Sequence, residues 1–101
     1  MLGLRLDQCQ TMPELRQEID ILDQKIVEMI AIRKSYMDQA AIIKKKRDQV
    51  RDEDRVEDVI SKITSHAHHV GADSTLIVKI YRQMIEWSIN YELDKFDEAN
   101  K

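Results

Sequence analysis

The sequence contains very few of the residues that end or bend helices. Its 101 residues include only two glycines and one proline, and 35% of them are charged. Domains built from strands need frequent turns, and this composition leaves little for turns or sheet edges. The scarcity therefore favours an all-α protein made of a few long helices, and the length fits one small domain.

Disulfides, membrane spans and net positive charge are absent as well. The single Cys9 cannot form an internal disulfide, which favours a reducing, cytoplasmic setting. No apolar run approaches the length of a membrane span, and the first eleven residues are too short and too polar for a secretory signal. The net charge of −3 gives no overall attraction to nucleic acid or to an anionic membrane. We therefore expect a cytoplasmic protein that binds neither.

The first half of the chain carries a long repeat of apolar residues at three-four spacing. Thr11 and Glu14 form a capping pattern that predicts a helix from about residue 11, with Pro13 in its first turn. We expect this helix to extend to about Lys46, some ~50 Å at 1.5 Å per residue. An apolar seam of that length overhangs any globule that one such chain can form, so it predicts a second copy as partner. The seam positions are 12, 15, 19, 22, 26, 29, 36, 40 and 43.

Two shorter helices are predicted after a polar segment. The stretch "RDQVRDEDR", residues 47–55, breaks the repeat and predicts a loop. Asp52 or Asp54 would cap a second helix that ends at Gly71, and Asp73 or Ser74 would cap a third. We therefore expect an N-terminal tail at residues 1–11 and one domain of three helices at 12–101. The apolar stripe of the third helix is predicted at positions 77, 80, 81, 84, 85, 87, 89 and 91.

Several polar residues lie on helix faces that the apolar pattern predicts to be buried. Arg33 occupies the seam, and Lys44, eleven residues later, faces nearly the same way. Glu92 lies one turn after Ser88, on the side of the third helix away from Glu86. Buried charges are costly unless they are paired or bind a ligand. Each could be part of a structural ion pair, but together they favour a polar pocket inside a helical bundle.

The charges predicted around this pocket are mostly positive, with Glu92 as the only inward acid. Such a pocket favours an anion, most simply a small dicarboxylate, because the arginine fork matches a carboxylate. Arg16 and Arg33 are seventeen residues apart on one helix, or ~25 Å. If both serve one site, Arg16 must come from an antiparallel partner. The cations are Arg16, Arg33, Lys44 and Arg55.

The ordered set of these stretches resembles the all-α (AroQ-type) chorismate mutases, from about Pro13 to Asp97. The stretches are "LRQEIDILDQKIVEMIAIR", Lys44, "VRDEDR", "AHHVGAD" and "MIEWSINYE". The resemblance implies an intertwined homodimer of three-helix chains, with two sites that each borrow an arginine from the other subunit. It also implies the unimolecular rearrangement of chorismate to prephenate, without a cofactor, a metal or a covalent intermediate.

By the same resemblance, five residues would hold the substrate. Arg16 of the partner subunit, Arg33 and Arg55 would bind its two carboxylates. Asp52 would engage the ring hydroxyl, and Ser88 would support the ring carboxylate. The arginines would also restrain the flexible substrate in the compact conformer that reacts.

Lys44, Glu92 and Arg33 would be the catalytic residues. Lys44 would donate to the ether oxygen of the breaking bond, where fixed donors stabilise the developing negative charge. Glu92 is a departure, because bacterial members usually carry Gln there. An ionised carboxylate has no proton to donate, so we hypothesise that Glu92 acts in its protonated form. The loop is also one residue shorter than in the commonest bacterial form, which bears on where Asp52 is placed.

Other functions fit parts of the sequence. An isochorismate pyruvate-lyase of the same fold would share the pocket, and the residues around Trp87 resemble such lyases, but "VRDEDR" favours a mutase. A non-catalytic helical dimer explains the seam but not the inward polar residues. Nucleic-acid binding through "KKKR", residues 44–47, is disfavoured in an acidic chain. His66, His68 and His69 lack the i, i+4 spacing of a helical zinc site, so we expect no metal.

Overall fold

Three helices account for most of the chain in the computed structural model, which describes residues 8–101. They are α1 (Met12–Ile43), α2 (Glu53–Val70) and α3 (Ser74–Ala99), with a 3-10 turn at Arg47–Gln49. The described residues contain no strand, so the prediction of an all-α chain with a long first helix is confirmed. Part of the predicted tail, residues 1–7, lies outside the described residues, and its boundary with the domain stays a prediction. The described chain divides within α1 into two units, the first ending at Ser35 and the second spanning Tyr36–Lys101.

The first helix begins where the capping pattern predicts. The Thr11 hydroxyl accepts a hydrogen bond from the Glu14 amide at 3.2 Å, and the Thr11 carbonyl accepts from the Leu15 amide at 3.0 Å. The first contact occupies an amide that a helix N-terminus leaves without a partner in the helix, and the second is the first hydrogen bond of the helix itself. The first turn is therefore fixed by residues next to it in the sequence.

The end of the first helix was predicted wrongly. We expected the helix to reach about Lys46, but it ends at Ile43. The Gln49 side-chain oxygen accepts from the Lys45 amide at 2.8 Å and from the Lys46 amide at 2.9 Å. Because these two amides bond to a side chain further along, they do not continue the helix. The connection to α2 therefore starts at Lys44 rather than after Lys46.

The other two helices begin at predicted residues, and α2 also ends where the sequence predicts. Two candidates were predicted for each N-cap, and in each case the first of them caps the helix. Asp52 accepts a hydrogen bond from the Arg55 amide at 3.1 Å, and Asp73 accepts one from the Leu76 amide at 3.2 Å. Gly71 follows the last residue of α2 with φ at +75°, a left-handed conformation that glycine adopts without the steric cost of a Cβ. Local sequence chemistry thus sets these boundaries.

The core of the second unit lies between α2, α3 and the connection that precedes α2. Val50 is 3% exposed, although the sequence pattern placed it in a polar loop. Phe96, near the end of α3, is also buried and lay outside the predicted apolar stripe. Partly buried residues of α2 and α3 surround this core. The buried cluster is Val50, Ile60, Ile85, Ile89 and Phe96.

The apolar seam of the first unit remains exposed in the single chain. Ile26 is 47% exposed and Met29 is 52% exposed. A contiguous exposed apolar surface of this kind usually marks an interaction site. The exposed seam residues of this unit are Met12, Leu15, Ile19, Leu22, Ile26 and Met29.

Glu86 and Asn90 of α3 are exposed, but part of the predicted apolar stripe of this helix is not buried. Ile80 is 48% exposed and Trp87 is 56% exposed. Trp87 is therefore not a core residue of the single chain. None of the helices in the described part of the chain is long and apolar enough to cross a membrane.

Candidate functional site

The seven predicted site residues are divided between the two units. Arg16, which is exposed, and Arg33, which is half-buried, lie in the first unit. The other five lie in the second unit, and their mutual geometry can be described directly. They are Lys44, Asp52, Arg55, Ser88 and Glu92.

Lys44 and Glu92 form an ion pair inside the second unit. Lys44 follows the last residue of α1, and its amide still donates to the Ala40 carbonyl at 3.0 Å. From this position its Nζ lies 2.8 Å from Glu92 Oε1, and the two side chains are 28% and 4% exposed. The sequence predicted an inward charge at each position, and the structure brings the two charges together.

The carboxylate of Glu92 is not satisfied by this contact. Lys44 pairs with Oε1 as an ion, and no hydrogen bond to that oxygen is found in the described part of the chain. A buried oxygen without a donor is costly, and in native proteins it is usually explained by function or by bound water. The pair therefore combines a fixed cation, a buried carboxyl group and an oxygen that can take a further partner.

Ser88 and Glu92 share the buried side of α3. Ser88 is 5% exposed and lies one helical turn before Glu92, while Glu86 and Asn90 are exposed. This confirms the prediction that Ser88 and Glu92 face away from the wet side of the helix. A hydroxyl and a carboxyl group on one buried face can bind two polar groups of the same small molecule.

A tyrosine next to Glu92 ties α3 to the last turns of α1. The Tyr91 hydroxyl donates to Asp38 Oδ1 at 2.5 Å. Trp87 stacks on the Tyr91 ring at 5.2 Å between centroids, and Lys95 Nζ lies 5.6 Å from its centre. The sequence pattern placed Tyr91 in the apolar stripe and did not predict this contact. The tyrosine hydroxyl could have indicated it, because a buried hydroxyl usually finds a hydrogen-bond partner. The contact helps to hold the end of α1 near Glu92.

An open pocket of about 620 Å³ lies along the connection between α1 and α2. It contains two predicted site residues, Lys44 and Asp52. Its lining has four carboxylates and three cations, so the pocket is not cationic by itself. The cationic excess expected from the sequence depends on Arg16 and Arg33 and stays a prediction. The lining residues are Ile43, Lys44, Lys45, Asp48, Gln49, Arg51, Asp52, Glu53 and Asp54.

Arg55 is not among the residues that line this pocket. Its guanidinium donates to Asp58 at 2.6 Å, and Lys62 donates to the same carboxylate at 3.0 Å. The hydrogen bonds from Lys62 and then Arg55 are the main reasons why the pKa of Asp58 is lowered. The predicted contact of Arg55 with a bound carboxylate therefore requires that the substrate compete with Asp58.

The basic run at residues 44–47 is partly neutralised within the chain. Lys44 pairs with Glu92, and Arg47 donates to Asp97 at 3.0 Å. Only part of the run is thus available to a phosphate backbone, which weakens the hypothesis of nucleic-acid binding.

Two of the histidines at the end of α2 stack on each other. His66 and His69 stack at 6.1 Å between ring centroids. Among residues 8–101, no group of three or more His, Cys, Asp or Glu side chains is placed to hold a metal ion. The stacked pair is an exposed feature of the helix end.

The family comparison concerns the part of the chain that contains the predicted site residues. The family model for chorismate mutase type II matches residues 15–93, a range that begins just before Arg16 and ends just after Glu92. A comparison with curated proteins finds no match. The family match covers most of the 101 residues and includes all seven predicted site residues. The chain therefore belongs to the chorismate mutase type II family.

Proposed function

We propose that this chain is a chorismate mutase that rearranges chorismate to prephenate at the interface of a homodimer. The observation that carries the proposal is the buried Glu92 carboxyl with Lys44 Nζ 2.8 Å from it. In this reaction a C–O bond lengthens and negative charge develops on the ether oxygen. A fixed cation and a fixed donor in a buried site stabilise that charge more than they stabilise the ground state. No cofactor or covalent intermediate is needed.

Lys44 and Glu92 act on the same ether oxygen in this proposal. Lys44 provides a positive charge and a donor that the end of α1 positions. Glu92 provides a second donor when it is protonated, because an ionised carboxylate can only accept hydrogen bonds. Glu92 Oε1 is buried and has no hydrogen-bond donor among the described residues. When it carries a proton, it can donate that proton in a hydrogen bond to the substrate oxygen.

Asp52 and Ser88 orient the ring. Asp52 Oδ1 caps α2, and a carboxylate has acceptor sites left over for a hydroxyl proton. Asp52 also lines the pocket that contains Lys44. Ser88 donates to the ring carboxylate from the buried face of α3. These residues bind groups whose charge stays constant during the reaction, so they serve orientation rather than charge stabilisation.

Three arginines hold the two carboxylates. Arg33 and Arg55 come from the subunit that supplies Lys44, and Arg16 comes from the partner subunit. To bind the substrate, Arg55 must break its ion pair with Asp58. This is feasible because an exposed ion pair within one helix is weak. The homodimer is supported by the exposed seam of α1 and by the ~25 Å that separates Arg16 from Arg33 along a helix. One small molecule cannot span that distance.

The test is to incubate the purified protein separately with chorismate and with isochorismate. We expect prephenate from chorismate, without added metal or cofactor, at a rate at least about tenfold above any reaction of isochorismate. Salicylate and pyruvate from isochorismate, with chorismate left unchanged, would instead identify a lyase of the same fold. No conversion of either compound by a folded dimer would identify a non-catalytic helical dimer.

A further inference from the structure

We propose that Arg51 is a positioning residue that clamps the connection between α1 and α2 to α3 and thereby sets the spacing of Asp52 and Ser88. The inference rests on the proposed function of this site. Arg51 Nη2 donates to Glu86 Oε2 at 2.7 Å, and its Nη1 donates to Glu86 Oε1 at 3.0 Å. Two parallel hydrogen bonds fix the orientation of both side chains as well as their distance.

The clamp joins two residues that are close in sequence to the proposed ring contacts. Arg51 directly precedes Asp52, and Glu86 lies two residues before Ser88. A shift of the connection along α3 would therefore change the distance between Asp52 and Ser88. Misplacement of a binding group by about 1 Å is enough to weaken an oriented site.

The connection is held on α3 at two further points. Val50, next to Arg51, is 3% exposed and packs in the core with residues of α3. At the other end, the Arg47 guanidinium donates to both oxygens of Asp97, at 3.0 and 3.4 Å. Of these contacts, the one made by Arg51 is nearest to Asp52 in the sequence, so it holds the connection on α3 next to that proposed ring contact.

The charges of the clamp are stable near neutral pH. The hydrogen bonds to Glu86 raise the pKa of Arg51, and the hydrogen bond from Arg51 lowers the pKa of Glu86. Glu53 accepts a further hydrogen bond from Arg51 Nη1 at 3.2 Å, which limits the guanidinium to this position. Arg51 lines the pocket but has its donors directed at carboxylates of its own chain.

A second ion pair in the same unit provides a matched control. Arg82 of α3 donates to both oxygens of Glu57 of α2, at 3.2 and 3.4 Å. Its side chain is about as exposed as that of Arg51, at 49% against 43%. Neither Arg82 nor Glu57 lines the pocket. Both pairs link α3 to the segment that contains α2, and only one of them adjoins a proposed substrate contact.

The experiment compares Arg51→Gln with Arg82→Gln. Arg51→Gln is expected to lower kcat/KM for chorismate about tenfold, mainly through KM, because Asp52 and Ser88 bind groups that do not change charge during the reaction. Arg82→Gln is expected to stay within about twofold of the wild type. Combining Arg51→Glu with Glu86→Arg should recover much of the activity that Arg51→Glu loses. Amide hydrogen exchange at residues 47–52 should be faster in Arg51→Gln and unchanged in Arg82→Gln.

Two results would overturn the clamp. One is an equal effect of the Arg51 and Arg82 substitutions on kcat/KM, and the other is unchanged exchange at residues 47–52 in Arg51→Gln. A wild-type protein that does not convert chorismate would refute the proposed function instead. In that case the exchange measurement alone decides, since faster exchange in Arg51→Gln still supports the clamp and unchanged exchange still contradicts it.

Discussion

Replacing Lys44 by alanine is expected to lower kcat/KM for chorismate by at least about a hundredfold, because it removes the fixed cation nearest to the developing charge. At a pH high enough to ionise Glu92, the same change leaves a buried carboxylate without its ionic partner. Breaking a buried pair in this way costs on the order of 3 kcal/mol of unfolding free energy. Steady-state kinetics and a chemical denaturation curve on the same preparation measure both effects.

A double variant separates catalysis from stability. Combining Lys44→Ala with Glu92→Gln removes the isolated charge, so most of the lost unfolding free energy should return while turnover stays low. Lys46→Ala is the matched control, since Lys46 is an exposed lysine of the same connection that does not line the pocket. If the double variant recovers turnover together with stability, Lys44 is a structural residue and not a catalytic one.

Mixing two inactive variants is expected to restore activity if each site takes Arg16 from the partner subunit. Arg16→Ala and Arg33→Ala should each remove most turnover, because either change leaves a substrate carboxylate without its arginine. A mixed dimer has one site with both residues intact and one site with neither. Random assortment makes half of the dimers mixed, so about a quarter of the wild-type activity should return. The recovered activity is measured by refolding the two variants together and following the loss of chorismate.

The control for this experiment mixes Arg33→Ala with Lys44→Ala. Both residues are proposed to come from the same subunit of a site, so every site of a mixed dimer lacks one of them. No activity should return in this mixture. Recovery here as well, or its absence in the first mixture, would contradict the proposed exchange of Arg16 between subunits.

The parts of the fold that the sequence predicted depend on contacts between near neighbours. Thr11, Asp52 and Asp73 cap helices through amides three residues away, and Gly71 ends α2 with a positive φ. Such contacts use side-chain chemistry that a single sequence displays directly. The inward position of Ser88 and Glu92 followed from helical periodicity in the same way.

The errors arose where a contact spans a turn or a long stretch of chain. The Gln49 side chain accepts hydrogen bonds from two backbone amides at the expected end of α1. Hydrophobic periodicity does not indicate that a side chain will bond to residues that precede it. Val50 is one apolar residue among polar ones, so its burial depends on where α3 packs. The links from Arg51 to Glu86 and from Tyr91 to Asp38 join residues 35 and 53 positions apart. Only the folded chain brings such pairs together.

The protonation of Glu92 is tested by the rate of chorismate conversion across neutral pH, measured for the wild type and for Glu92→Gln. The proposed mechanism requires a proton on Glu92, so wild-type kcat/KM should fall as pH rises. The side-chain amide that Glu92→Gln introduces donates at every pH, so the variant should keep turnover and lose this dependence. A wild-type rate that is flat through neutral pH, with the same flat profile in Glu92→Gln, would contradict the protonated Glu92 at the centre of the proposed mechanism.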